Sequence, residues 1–306
     1  TTSGNGFSDS PVISADGDFI AFRSAAFNLT GDTDNSNYDI FLYARVGGTV
    51  TRVSSGLGAP SNHHSYTPHI SADGRFVAFQ SFASNLIPGK DTNISVDVIL
   101  GDTTTGFLTL VSAANPSPIQ TANGASSVAT SPQSSVSADG RYTVFTSTAS
   151  DVLPDQFDNS SSGWDVFLYD RVLNTHKLVS HLPGQPSVTG NSFSASPSIS
   201  ANGRFVAFQS SASNLVTGTD SNNSPDVFLY DVLTGTVKLV SHLPGVPGTS
   251  ANSSSQAPAI SADGNMVAFV SYASNLVSGS DSNNAYDVFV YDAISDTVSL
   301  ASHIPG

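Results

Sequence analysis

One cassette, opening Ser-Ala-Asp/Asn-Gly, recurs five times along this chain. Its glycine turns fall at Asp16-Gly17, Asp73-Gly74, Asp139-Gly140, Asn202-Gly203 and Asp263-Gly264, separated by 57, 66, 63 and 61 residues. Residues 185–245 and 246–306 align without a gap, through to His242-Leu243-Pro244-Gly245 against His303-Ile304-Pro305-Gly306. So regular a period calls for a repeat architecture, in which each unit buries its apolar faces only by stacking on its neighbours. The repeat fills all 306 residues and argues for one body over 1–306, with units at about 1–57, 58–118, 119–184, 185–245 and 246–306.

Helix is disfavoured almost everywhere. All 24 acidic residues are aspartate, which prefers turns and caps, and glutamate, a good helix former, is absent. The formal charge is −14, with ten Lys and Arg placed singly. Nothing here neutralises a row of phosphates, so nucleic acid and anionic membranes are poor partners, no nucleic acid is expected to bind, and cations suit the chain better. There is no cysteine and hence no disulfide frame or thiolate nucleophile. No run of eighteen apolar residues supports membrane insertion, and Thr1-Thr2-Ser3-Gly4 lacks the marks of a signal peptide. Abundant Ser, Thr, Asn and Gly with little Lys is the composition of secreted, cell-surface or periplasmic proteins.

The fourth repeat shows how a unit is built. Ser196–Ser200 reads as a short strand, Ala201-Asn202-Gly203 as a hairpin turn, and Arg204–Ser210 as a second strand. That strand is apolar on both faces, Phe205 and Ala207 on one and Val206 and Phe208 on the other, so both faces need cover. A polar loop leads to Asp226–Asp231, again apolar on both faces, and Leu233-Thr234-Gly235 turns into Thr236–Ser241, the most polar strand, as an outer edge should be.

Four short antiparallel strands per unit, the inner ones buried twice, is the pattern of a propeller blade. The fold class expected is all-β, a five-bladed β-propeller with four antiparallel strands per blade. The stretch Ser71-Ala-Asp-Gly-Arg-Phe-Val-Ala-Phe-Gln-Ser81 resembles the WD40-like (PD40-type) repeats of TolB-like propellers, whose usual form carries Pro where Ala72 stands. The resemblance runs through the whole chain; it implies a fold that hosts both docking modules and accessory domains of peptidases. Unit one starts at its innermost strand and unit five ends at its outermost, so closure without a swapped strand is expected. The junction between units one and five is the expected weak seam.

The loop before the third strand carries the sharpest chemical pattern. It reads Asp91-Thr-Asn93-Ile-Ser95-Val-Asp97, Asp220-Ser-Asn222-Asn-Ser224-Pro-Asp226 and Asp281-Ser-Asn283-Asn-Ala285-Tyr-Asp287, with a shortened relative Asp32-Thr-Asp34 through Asp39 and an expanded one from Asp155 to Asp165. Alternating oxygen side chains closed by an aspartate suit a hard cation, so calcium is the candidate cofactor. The same residues also suit Asx turns capping the strand, and both readings stand at this level.

No catalytic set is legible. The innermost strands hold no carboxylate and one histidine, His69, whereas a glycosidase needs paired acids at one sugar bond. Asp9 and Asp18 remain as loop acids. His181, His242 and His303 end successive repeats, and as equivalent positions on different blades they suit an exit turn better than one metal site. His63, His64 and the single tryptophan, Trp164, lie in the loops farthest from consensus and are the candidate partner contacts. The expected role is a non-enzymatic scaffold for protein or glycan. The alternatives are a self-associating unit of a surface layer or filament, and a glycan-active or peptidase-like hydrolase with loop-borne acids.

Overall fold

The computed structural model describes residues 2–31, 37–56, 59–89, 91, 93–129, 134–160, 163–220, 222–279 and 283–303. Among them there are strands and turns and no helix. Each unit forms one four-stranded antiparallel sheet with the strands in chain order. The second and third strands, such as Phe205–Ser210 and Asp226–Asp231, sit at the centre of each sheet. A phenylalanine pair stacks across them in four sheets, at ring separations of 5.6 to 5.8 Å.

The first strand begins earlier than its sequence suggests, at Ser194 in unit four. A bulge accounts for the extra residues: its register against the second strand shifts between Ala195 and Ser198, and Ser196 takes φ +51°. The same left-handed residue recurs as Ser10, Thr67 and Ala257. The fourth strand ends early, at Leu239, because the Val240 and Ser241 amides both donate to the Val227 carbonyl while the Val227 amide donates to the Ser241 hydroxyl instead of a backbone carbonyl. The connection that follows, expected as a plain linker, is a small hairpin, His242–Leu243 with Val246–Ser250.

Neighbouring sheets join by one recurring device. An amide in each hairpin turn donates to the carbonyl of the next turn: Ala15 to Ala72, Ala72 to Ala138, Ala138 to Ala201 and Asn202 to Ala262, at 2.9 to 3.2 Å. Beside each bond a large side chain lies on the next glycine: Phe19 on Gly74, Phe76 on Gly140, Tyr142 on Gly203 and Phe205 on Gly264. A Cβ on these glycines would fall 2.0 to 2.5 Å from the ring, and each glycine has positive φ, so the turn needs glycine for space as well as conformation. Four apolar cores result, one at each successive junction.

The expected direct closure of unit five onto unit one is not what the described residues form. Gly17 meets only its own Ile13, and Met266, the counterpart of Phe205, is 42% exposed. Ile13 is 62% exposed where Val136 and Ile199 are at most 3%. The five sheets therefore stand as a series with two open ends.

Candidate functional site

One edge of the series carries the aromatic residues. The amide that opens each first strand donates to the carbonyl just before the preceding unit's third strand: Ser65 to Tyr38, Ser126 to Val96, Ser194 to Trp164 and Ser255 to Pro225. Tyr38, Trp164 and Tyr286 thus hold equivalent places. Two further equivalent sets lie beside them, identified by the amide–carbonyl bond that ties second strand to first: Phe7, His64 and Phe193 in one, Phe82 and Tyr272 in the other. Phe7, Phe82, Tyr272 and Tyr286 are 42 to 62% exposed. So many wet rings on one edge are a poor arrangement for solubility and a good one for contact.

The sequence candidates fall in two groups on this edge. Trp164 and Phe193 wall an open cleft of about 310 Å³ between units three and four, floored by Thr146, Val128 and Pro197. His63 and His64 belong to a second cluster, between units one and two, with Tyr38, Tyr66 and Phe82 at ring separations of 5.0 to 6.3 Å. Arg23 lies 4.6 Å over Tyr38 and 5.2 Å over Tyr66, its fork held by both oxygens of Asp9. His64 Nδ1 accepts the Tyr38 amide, and burial beside His63 and Arg23 lowers its pKa, which keeps the ring neutral as that bond requires. Sequence reasoning missed Arg23, Tyr38, Tyr66 and Phe193. Part of the signal was available in the repeat alignment, where Tyr66 stands at a position that holds Ser127 and Ala195, and Phe193 at one that holds Ala125 and Ser254, in other units.

The aspartate loops lie on the same edge, and each third-strand aspartate is latched. Ser54, Ser112, Ser180, Ser241 and Ser302 donate to Asp39, Asp97, Asp165, Asp226 and Asp287 at 2.5 to 3.0 Å, and each serine oxygen also accepts an amide of the third strand. Burial pushes Asp97 and Asp226 up to about 7 and Asp165 to about 8, with Asp91, Asp220 and Asp158 adding like-charge repulsion. Asp39 instead faces the Arg52 guanidinium at 3.5 Å, in a position that is leucine in the other units. Asp287 is only half-buried, and its bonds from Ser302 and Asn283 lower its pKa.

The loop residues act on one another as Asx turns. Asp91 and Asp220 accept the amides of Asn93 and Asn222, whose own side-chain oxygens accept those of Ser95 and Ser224. The Asn93 and Asn222 amide groups donate to Ala122 and Ala251 of the next unit's connecting hairpin, and Asn283 donates to Asp287. Asp91 with Asp97, and Asp220 with Asp226, border voids of about 20 and 10 Å³, room for about one water or ion. Asp32, Asp34 and Asp281 lie outside the described residues. Among the described residues no three His or Asp side chains converge.

The remaining polar candidates are occupied. His181 and His242 each bond the following carbonyl and pack edge-on against Tyr230 and Tyr291 of the next unit. Asp9 and Asp18 pair with Arg23 and Arg45, and His69 bonds the Ala129 carbonyl at 2.8 Å.

No family model and no curated protein matches the chain. Solved structures do. A putative TolB from Agrobacterium tumefaciens matches at TM-score 0.51 and 17% identity, over 96% of this chain and 80% of that one. An oligogalacturonate lyase in complex with manganese matches at 0.53 and 12%, over 96% of this chain and 64% of the lyase. A puromycin-hydrolyzing peptidase from Mycobacterium tuberculosis matches at 0.52 and 11%, over 98% of this chain and 39% of the peptidase. The fold is that of TolB-like β-propellers. At these identities the likeness carries the fold alone, and the chain spans less than two thirds of the lyase and of the peptidase.

Proposed function

We propose that this chain is a non-enzymatic propeller scaffold, extracellular or periplasmic, that binds protein or glycan through its aromatic edge. The observation that carries this reading is the cleft walled by Trp164 and Phe193 within a band of exposed rings. Flat aromatic walls over a floor of small residues suit a sugar ring or an extended peptide. A scaffold role is supported further by Asp9, which lies in the first strand Ser8–Ile13 and not in a loop, and by Asp18, the acids a hydrolase could have used, each being tied up by an arginine. Trp164 is the only tryptophan, so its emission reads the cleft directly. Titration with soluble polysaccharides and with peptides should shift that emission for one class, and Phe193→Ala should weaken binding at least about tenfold with folding intact. An emission indifferent to both classes would contradict the reading.

Calcium is a second proposal, favoured by the paired carboxylates around the two small voids. An ion there would take the place of the proton that burial puts on Asp97 and Asp226. Added calcium should raise the thermal midpoint above neutral pH, and chelator should reverse the gain. Asp226→Ala should remove part of that gain; a midpoint indifferent to calcium would leave only the turn chemistry.

A further inference from the structure

His242 carries one buried atom that no neighbour satisfies. The residue is 2% exposed, and its ring packs edge-on against Tyr291 of unit five at 6.0 Å. Nδ1 lies 2.8 Å from the Leu243 carbonyl, which can only accept, so Nδ1 carries the proton of the neutral ring and Nε2 is a bare lone pair. Among the described residues that Nε2 has no hydrogen-bond partner and is sealed from solvent, while Asp296 Oδ1 stands 3.7 Å away. Two acceptors thus face each other across the junction of units four and five. The gap is too long for a direct hydrogen bond and too short for a bridging water, which would set the two atoms about 4.5 Å apart or more. What it admits is a proton.

The carboxylate is peculiar to this junction. His181 makes the same Nδ1 bond and the same edge-on contact, with Tyr230, but the place of Asp296 is held there by Gly235, and His181 and Gly235 line an open cleft of about 390 Å³. In unit three the place is held by Asn174, which accepts the Tyr169 hydroxyl at 3.0 Å as Asp296 accepts that of Tyr291 at 2.5 Å. Asp296 takes φ +56°, in the left-handed region, at a turn where glycine sits without strain. Burial and the Asp296 bond push the Tyr291 pKa up, so the phenol keeps its proton and donates it to the carboxylate. The other charged groups around His242 are turned elsewhere. Lys238 faces Ala293 and Ile294 in the adjoining cleft, Asp220 accepts Ser250 Oγ on the far arm of His242's own hairpin, and Asp292 accepts the Ile294 and Ser295 amides.

We infer that His242 and Asp296 form a proton-operated clasp between units four and five. When the ring takes its second proton, Nε2–H becomes a donor and the pair closes into a charge-assisted bond; when that proton leaves, acceptor again faces acceptor and the clasp opens. The bond exists only with the proton bound, so this junction is tighter at the acid end of the interval in which an imidazole changes charge, about pH 5 to 8, and looser at the other. The junction of units three and four lacks the device, because Gly235 brings no charge.

Asp296→Asn separates the clasp from the turn, since Asn174 shows that asparagine keeps both the left-handed conformation and the tyrosine bond. With Asp296 partly exposed, backbone amides of Asp287–Asp292 and Thr297–Leu300 should exchange about fivefold more slowly in the native chain than in the variant at about pH 5.5, and equally at about pH 8. Comparing two chains at one pH cancels the intrinsic pH dependence of exchange and the titration of Asp97, Asp165 and Asp226, which both chains share. Imidazole nitrogen shifts of His242 should show Nδ1 protonated and Nε2 bare at the higher pH, and both protonated at the lower. Asp296→Gly, with the residue of unit four, should give the same loss of protection in acid. Equal exchange of native chain and variants at about pH 5.5 would overturn the proposal, as would a proton on Nε2 in place of Nδ1 at about pH 8. A difference of the same size at both pH values would overturn it too, by making Asp296 a contact that no proton operates.

Discussion

Units two to four are covered on both sides, units one and five on one side only, and the same cassette has different properties in the two settings. Asp226 and Asp287 begin strands that differ only at Leu229 against Val290 and accept a serine at nearly the same distance, yet burial raises the first to about 7 while the bonds from Ser302 and Asn283 leave the second lowered. Phe208 and Phe22 both stack on a third-strand phenylalanine, yet the first is fully buried and the second is not. The strand sequence sets the contacts inside a sheet. The neighbour sets burial and, through it, charge.

The largest effect separating the two settings is a pH dependence. Asp97, Asp165 and Asp226 titrate near 7 to 8 when folded and about 3.9 when unfolded. Between these values the folded state holds the extra protons, so the stability these three groups contribute is full below about pH 3.9 and is lost as pH rises toward 7 to 8, by up to about 1.4 kcal/mol per pH unit for each group. Asp226→Asn should flatten part of this slope in urea titrations, and Asp287→Asn should leave it alone; equal effects would erase the distinction between covered and open latches. Next in size, Phe208→Ala should cost about 3–5 kcal/mol and Phe22→Ala clearly less, since a half-wet site leaves a smaller cavity. Equal costs would show the unit-one face to be covered in solution. Smaller still, Ser241→Ala should cost about 1–3 kcal/mol by stripping a buried carboxyl of its donor, against under about 1 kcal/mol for Ser302→Ala, where water substitutes.

Much of the fold was legible because the repeat supplies five readings of one pattern. The two-faced strands at Phe205–Ser210 and Asp226–Asp231 stand where alternation puts them. The bulge at Ser196 was hidden, since a serine in the left-handed region has no sequence mark as glycine does. Closure was misread because strand count within a unit says nothing of the angle between units. At the site, Trp164 and His64 stood out as departures from consensus, but Arg23 and Asp9 lie fourteen residues apart and meet only through strand pairing. The latch serines looked like ordinary strand ends, and only the fold shows that they hold the aspartates.

Native-state hydrogen exchange on the 306-residue chain tests the arrangement most directly. Amides of the second and third strands in units one and five, around Ile20, Phe22, Val288 and Val290, should open well before those around Thr143, Val166, Val206 and Val227. Uniform protection across all five sheets would contradict the open-ended series.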